Sequence, residues 1–118
     1  MQHDLGVSFG KLGNVMRQQG NTQDAIEFYR KYQRIAQTLV DADPKNAEAQ
    51  RDLLVSFMKF GAVAEETSDY ATAMTCYEKA LAVAVNFERP EFFANEVKVL
   101  KTQISKCQAK LPSREAKP

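Results

Sequence analysis

Residues 2–15 read QHDLGVSFGKLGNV, and residues 50–63 read QRDLLVSFMKFGAV. The two stretches share nine of fourteen residues at a constant offset of 48 positions. The same offset pairs Ala25 with Ala73 and Tyr29 with Tyr77. A fixed period of this length is typical of stacked repeats, in which one unit cannot bury its apolar face without a neighbour. The repetition therefore predicts a stack of similar units, and such stacks usually bind other molecules rather than catalyse reactions.

The apolar residues recur with a helical period throughout the chain. Residues on one side of a helix recur every three or four positions, as do Leu5, Phe9, Leu12 and Met16. Gly20 and Ser68 lie at equivalent turn positions, and Thr22 is the predicted N-cap of the helix that follows the first turn. We predict no strand and five helices, at about residues 2–18, 22–42, 46–67, 70–87 and 90–110. Proline is expected to open the fifth helix at Pro90.

The repeated residues resemble the tetratricopeptide repeat (TPR). That family places a large and a small residue on the first helix, a turn glycine, and then an alanine and an aromatic residue on the second helix. The first copy here has Leu12-Gly13, Gly20, Ala25 and Tyr29, and the second has Phe60-Gly61, Ser68, Ala73 and Tyr77. The common period of the family is about 34 residues. The longer period here predicts a variant in which the helices that meet between the repeats are extended.

The resemblance implies an all-α fold, a right-handed stack of two helix pairs with a C-terminal capping helix. We expect a domain at 1–111, with repeat one at about 1–43, repeat two at about 44–89 and the capping helix at about 90–111, followed by a disordered tail at 112–118. The last helix has an apolar stripe formed by Phe93, Val97, Leu100, Ile104, Cys107 and Leu111. This stripe suits a cap on the stack, and the alternative is a coiled-coil seam in a dimer. Because the pattern enters the first helix without a cap, we also expect the chain to be a fragment of a larger protein with upstream repeats.

The composition argues against several classes of protein. The formal charge is +1, so a general attraction to nucleic acid or to an anionic membrane is not expected. Six basic residues lie between positions 97 and 118 against one acidic residue, but no aromatic residues interleave with them for base stacking, which makes nucleic-acid binding a disfavoured alternative. No apolar run reaches the roughly 18 residues of a membrane span. Cys76 and Cys107 fit small core residues of a cytoplasmic protein better than a disulfide.

The sequence offers little for catalysis, for a metal or for a cofactor. His3 is the only histidine and lies near the N-terminus, so it makes a poor member of a catalytic triad or of a metal site. The glycines at 6, 10 and 13 lie within a helix and match no phosphate-binding loop. We therefore expect a non-enzymatic chain that uses no cofactor and no metal.

The remaining candidate site is the groove that the TPR resemblance implies. In such stacks the first helix of each pair lines a concave face where extended peptides bind. Matched positions give a candidate peptide-binding groove of Val7, Gly10, Asn14, Arg17, Val55, Met58, Ala62 and Glu65. The alternative for Val55 and Met58 is packing against neighbouring helices. The expected function is a protein–protein interaction or scaffolding module of a signalling or regulatory protein, with a protein or peptide partner. The alternative is self-association into a homo-oligomer through the terminal helix or the ends of the stack.

Overall fold

A computed structural model of the protein describes residues 2–112. Its helices are α1 (Gln2–Gln18), α2 (Thr22–Ala42), α3 (Ala47–Glu66), α4 (Tyr70–Asn86) and α5 (Ala94–Lys110), with a 3-10 turn at Pro90–Phe93 before α5. No strand occurs between residues 2 and 112. Each helix packs on the next one along the chain. The fold is therefore an all-α stack of helical hairpins, as predicted, and its principal dimensions are 54 × 36 × 20 Å. Residues 113–118 of the predicted tail lie outside the described residues.

The N-cap of α2 and the beginning of α5 differ from the prediction. The N-cap of α2 is Asn21, not Thr22, because the Asn21 side chain accepts a hydrogen bond from the backbone N–H of Asp24. Pro90 opens the 3-10 turn rather than α5 itself. That tighter turn ends at Phe93, which is fully buried with its ring centroid 5.3 Å from that of Phe87. The aromatic contact thus joins the end of α4 to the beginning of α5.

The two hairpin turns share one backbone geometry. Gly20 and Ser68 both have positive φ, at 78° and 60°. In each turn the next residue donates its N–H to a carbonyl in the last turn of the preceding helix, from Asn21 to Met16 and from Asp69 to Ala64, both at 2.8 Å. This pattern is a Schellman motif, which normally uses glycine because a side chain clashes in the left-handed conformation. Ser68 therefore occupies a position whose geometry favours glycine.

Each hairpin is closed by a tyrosine ring seated against a glycine. Tyr29 and Tyr77 are buried on the second helices, and their rings lie directly over Gly13 and Gly61 on the first helices. A Cβ added to Gly61 would lie 2.6 Å from Cε1 of Tyr77, which is far inside van der Waals contact. The absence of a side chain at these two positions therefore allows the helices to cross closely, as their small size predicts.

The larger of two apolar clusters lies in the second half of the chain. Its buried members come from α3, α4, α5 and the segment between α4 and α5: Leu54, Ala64, Ala73, Tyr77, Ala80, Ala84, Phe87, Phe93, Leu100 and Cys107. Three members of the predicted α5 stripe are therefore buried within the chain, and Val97 and Ile104 pack beside them. This burial favours a capping role for α5 over the dimer seam.

The apolar stripe of α1 is less buried than that of α5. Leu5 and Leu12 are exposed, whereas Gly6, Gly10 and Gly13 are buried against α2. The three- and four-residue spacing of the large apolar residues identified the helix correctly. It did not identify the side that faces α2, because α1 meets α2 with its glycines.

We predict that Gly61→Ala lowers the free energy of unfolding by about 1–3 kcal/mol, because the methyl group overlaps the buried Tyr77 ring. Gly10→Ala is the matched control, since its Cβ would lie 3.3 Å from the nearest Tyr32 atom. A shift of a few tenths of an ångström relieves that contact, and the higher helix propensity of alanine offsets it. Urea unfolding of both variants provides the measurement. Equal losses of unfolding free energy in the Gly61→Ala and Gly10→Ala variants would contradict the close helix crossing at Gly61.

The turn geometry gives a second prediction. Ser68→Gly should raise the free energy of unfolding by about 0.5–1 kcal/mol, because glycine adopts positive φ without a steric penalty. The reverse change, Gly20→Ser, should lower it by about 1 kcal/mol. A Cβ at Gly20 meets no atom within 4 Å, so that loss reports the backbone conformation alone. Thermal unfolding of both variants tests the prediction. Shifts of the Tm in the same direction for Ser68→Gly and Gly20→Ser would be inconsistent with equivalent turns.

Candidate peptide-binding cleft

A cleft lies between the first helices of the two hairpins, α1 and α3. Its volume is about 350 Å³, and its walls are formed by Asn14, Arg17, Gln18, Lys59 and Glu66. Two polar side-chain contacts join α1 to α3 at opposite ends. Arg17 Nε donates to Glu66 Oε2 at 2.7 Å, and His3 Nε2 lies 2.9 Å from Asp52 Oδ2. The helices are thus tied together at both ends beside an open, polar cleft.

The tyrosine of each hairpin also reaches the first helix with its hydroxyl group. Tyr29 donates to Asn14 Oδ1 at 2.6 Å. The position equivalent to Asn14 in the second hairpin is Ala62, which has no acceptor, and Tyr77 donates to Glu65 instead. Asn14 is therefore held in one orientation, with its oxygen occupied and its amide N–H groups as the donors it can offer to a ligand.

Lys59 gives the cleft its distinctive electrostatic character. Its side chain is partly buried, and its ammonium lies 5.9 Å from the centroid of the Tyr29 ring. Burial lowers the pKa of Lys59, and the positive charge of Arg17 lowers it further. Arg17 forms an ion pair with Glu66. Among the ion pairs formed by residues 2–112, none contains Lys59. The cleft therefore holds a partly desolvated cation without a carboxylate partner.

The predicted groove residues are divided between the cleft and the packing around it. Asn14 and Arg17 line the cleft. Val55 and Met58 are partly buried and pack against the larger apolar cluster, and Gly10 is buried beneath Tyr32. The other three members are half-buried: Val7, Ala62 and Glu65. Binding by these eight residues stays a prediction.

Sequence reasoning missed three residues that line the cleft, Gln18, Lys59 and Glu66. The last two directly follow Met58 and Glu65, which were predicted. Consecutive residues of an α-helix differ by about 100° around the axis, so the observed wall of α3 is rotated by one position from the predicted one. The repeated lysines Lys11 and Lys59 were a usable signal, but the sequence alone did not distinguish the exposed one from the partly buried one.

The described residues show no arrangement that suggests a metal site or a membrane span. Between residues 2 and 112, no three His, Cys, Asp or Glu side chains are grouped so that they could hold a metal ion. Over the same residues, no helix combines the length and the apolar character required to cross a bilayer. Cys76 is half-buried and Cys107 is buried, and both are free thiols.

Comparison with protein families bears on the first hairpin. Residues 7–39 match the tetratricopeptide repeat model, and this segment includes both Gly13 and Tyr29. The first hairpin is a TPR-like repeat. Members of the family generally mediate protein–protein interactions and are typically non-catalytic. Comparison with curated proteins and with solved structures gives no match. The family model covers one hairpin, so the period of about 48 residues stays a prediction.

The lowered pKa of Lys59 leads to a stability prediction. Because its charged form is disfavoured in the folded state, Lys59→Met should raise the free energy of unfolding at neutral pH, by up to about 1 kcal/mol. The gain should shrink as the pH rises through the lowered pKa towards the ordinary lysine value, since Lys59 then becomes neutral in the folded protein. Lys11→Met, at the exposed equivalent position, is the control. Urea unfolding at several pH values measures the free energy of unfolding of both variants. A change for Lys59→Met that does not vary with pH would contradict a charge that burial disfavours.

Proposed function

We propose that this chain is a non-catalytic protein-interaction module that binds an extended peptide segment in the cleft between α1 and α3. The observation that carries the proposal is the partly buried ammonium of Lys59 in a cleft of about 350 Å³. A cleft of this volume is at the lower end of the range for ligand sites and can hold one or two side chains of a peptide. The TPR-like first hairpin supports a protein partner as the class of ligand.

The charges in the cleft favour an acidic group on the partner. A carboxylate placed near Lys59 would give that ammonium the counter-charge it lacks and would also attract Arg17. Charge-assisted hydrogen bonds of this kind contribute about 1.5–3 kcal/mol each when they are shielded from water. Asn14 would add amide N–H donors for a backbone or side-chain oxygen of the same segment. The partner is therefore proposed to be a peptide segment with an aspartate, a glutamate or a terminal carboxylate at this point.

A displayed library of random twelve-residue peptides tests the proposal. Selection on the full chain should enrich sequences that contain acidic residues, and a selected peptide should bind less tightly when its acid is replaced by the corresponding amide. Lys59→Gln should weaken that peptide by about tenfold or more, as expected for one charge-assisted hydrogen bond. Lys11→Gln, at the equivalent exposed position, should leave its affinity unchanged.

Asn14→Ala is a poor probe of binding, because it also removes the acceptor of the Tyr29 hydroxyl and so affects the fold. Lys59→Gln removes the charge and retains a polar side chain of similar length. Isothermal titration of the selected peptide provides the affinities. Selection without acidic enrichment, or equal weakening by the Lys59 and Lys11 variants, would argue against an anion-binding cleft.

A further inference from the structure

The outer face of α1 repeats a face of α3 that is covered in the same molecule. Nine residues of α1 recur unchanged in α3 at the offset of 48. Four of the nine lie on the exposed outer face, namely Asp4, Leu5, Ser8 and Val15, which correspond to Asp52, Leu53, Ser56 and Val63. Spacings of three and four residues place each set on one side of its helix. Leu5 is 50% exposed and Leu53 only 5%; Val15 is 42% exposed and Val63 only 4%. The same surface is thus open on α1 and closed on α3.

The helix that closes this surface on α3 is α2. Val63 and Phe60 pack with Ala25 and Tyr29 of α2 in the smaller apolar cluster. The Tyr29 and Phe60 rings meet edge to face, with their centroids 6.2 Å apart. At the other end of the same face, the Tyr32 hydroxyl donates to Asp52 Oδ1 at 3.0 Å. The covered face is therefore fitted to a helix that presents an alanine and two tyrosines.

We propose that the α1 face formed by Asp4, Leu5, Ser8, Leu12 and Val15 is a docking surface for the second helix of a neighbouring TPR-like hairpin. Its occupant is an α2-type helix with a small residue and aromatic residues at the positions of Ala25, Tyr29 and Tyr32. Leu12 would replace Phe60 as the apolar contact, and Asp4 lies where Asp52 receives a tyrosine hydroxyl. This surface is separate from the cleft of the proposed function and extends the α2–α3 type of interface to the open side of the stack.

A second copy of the chain is a poorer occupant. Its own α2 is already covered by α3, and its α4, the other second helix, is covered by α5. On the outer side of α5, Val99 is exposed, but it is flanked by Lys98, Thr102 and Lys106 rather than by alanine and tyrosine. Two copies therefore offer each other no free helix of the α2 type within the described residues.

A register-matched fusion tests the docking surface. Placing a duplicate of residues 21–48 directly before Met1 puts a second α2 upstream of α1 at the offset that joins α2 to α3. We expect Leu5→Lys to leave the Tm of the original chain almost unchanged and to lower the Tm of the fusion by about 5–10 °C, because Leu5 becomes buried. Val85→Lys, at a side chain on α4 that is 48% exposed, should affect both chains equally.

The same variants distinguish the other outcomes. Equal effects of Leu5→Lys and Val85→Lys in the fusion would overturn the proposal, because the added helix would then not lie on α1. Light scattering of the original chain over a concentration series provides a second measurement. A dimer that Leu5→Lys dissociates and Val99→Lys does not would also overturn the proposal, since the occupant would then be a second copy.

A trans experiment avoids dependence on the fusion. A synthetic fluorescent peptide of residues 21–46 is titrated with the original chain and followed by fluorescence anisotropy. Saturable binding that Leu5→Lys and Val15→Lys each weaken at least tenfold, and that Val85→Lys leaves unchanged, would support the surface. Binding that all three variants leave unchanged would overturn it. These variants lie outside the cleft. A failure of the cleft to bind an acidic peptide through Lys59 would therefore not affect the result for the peptide of residues 21–46.

Discussion

The seating of a tyrosine ring against a glycine is the contact on which both hairpins depend. Gly61 leaves room for the ring of Tyr77, and Gly13 leaves the same room for Tyr29. Once the ring is buried, its hydroxyl group requires a hydrogen-bond partner, because a buried polar group without one is costly. That partner comes from the first helix of the same hairpin, Asn14 in one case and Glu65 in the other. The packing requirement of the hairpin therefore also fixes polar side chains on the first helices, beside the cleft.

Much of the fold could be predicted because the decisive residues are repeated and small. Gly13 and Gly61 marked the helix crossings, and the turns at Gly20 and Ser68 fell at their expected positions. The rotation of each helix was harder to predict. Leu5 and Leu12 have the spacing of a buried stripe but are exposed, since α1 faces α2 with glycines. The apolar residues of α1 therefore mark a face that is open in this structure and not the face that packs against α2.

The candidate site was only partly predictable for a related reason. Asn14 and Arg17 were identified from matched positions and do line the cleft. Lys59 was missed because its importance comes from burial and from the neighbouring Arg17, and neither is visible in a single sequence. Equivalent repeat positions also carry different side chains, as with Asn14 and Ala62. The two hairpins therefore share their packing but contribute different chemistry to the cleft.

The three sides of α1 have different surroundings. Its glycines meet α2, Asn14 and Arg17 face the cleft, and Leu5 and Val15 point away from both. The α-helix allows this division because residues about 100° apart around its axis reach different neighbours. In α3 the three equivalent sides face α4, the cleft and α2, so none of them is left open as the outer face of α1 is. A helix docked on the outer face of α1 would therefore lengthen the stack without closing the cleft, so assembly and peptide binding would remain independent.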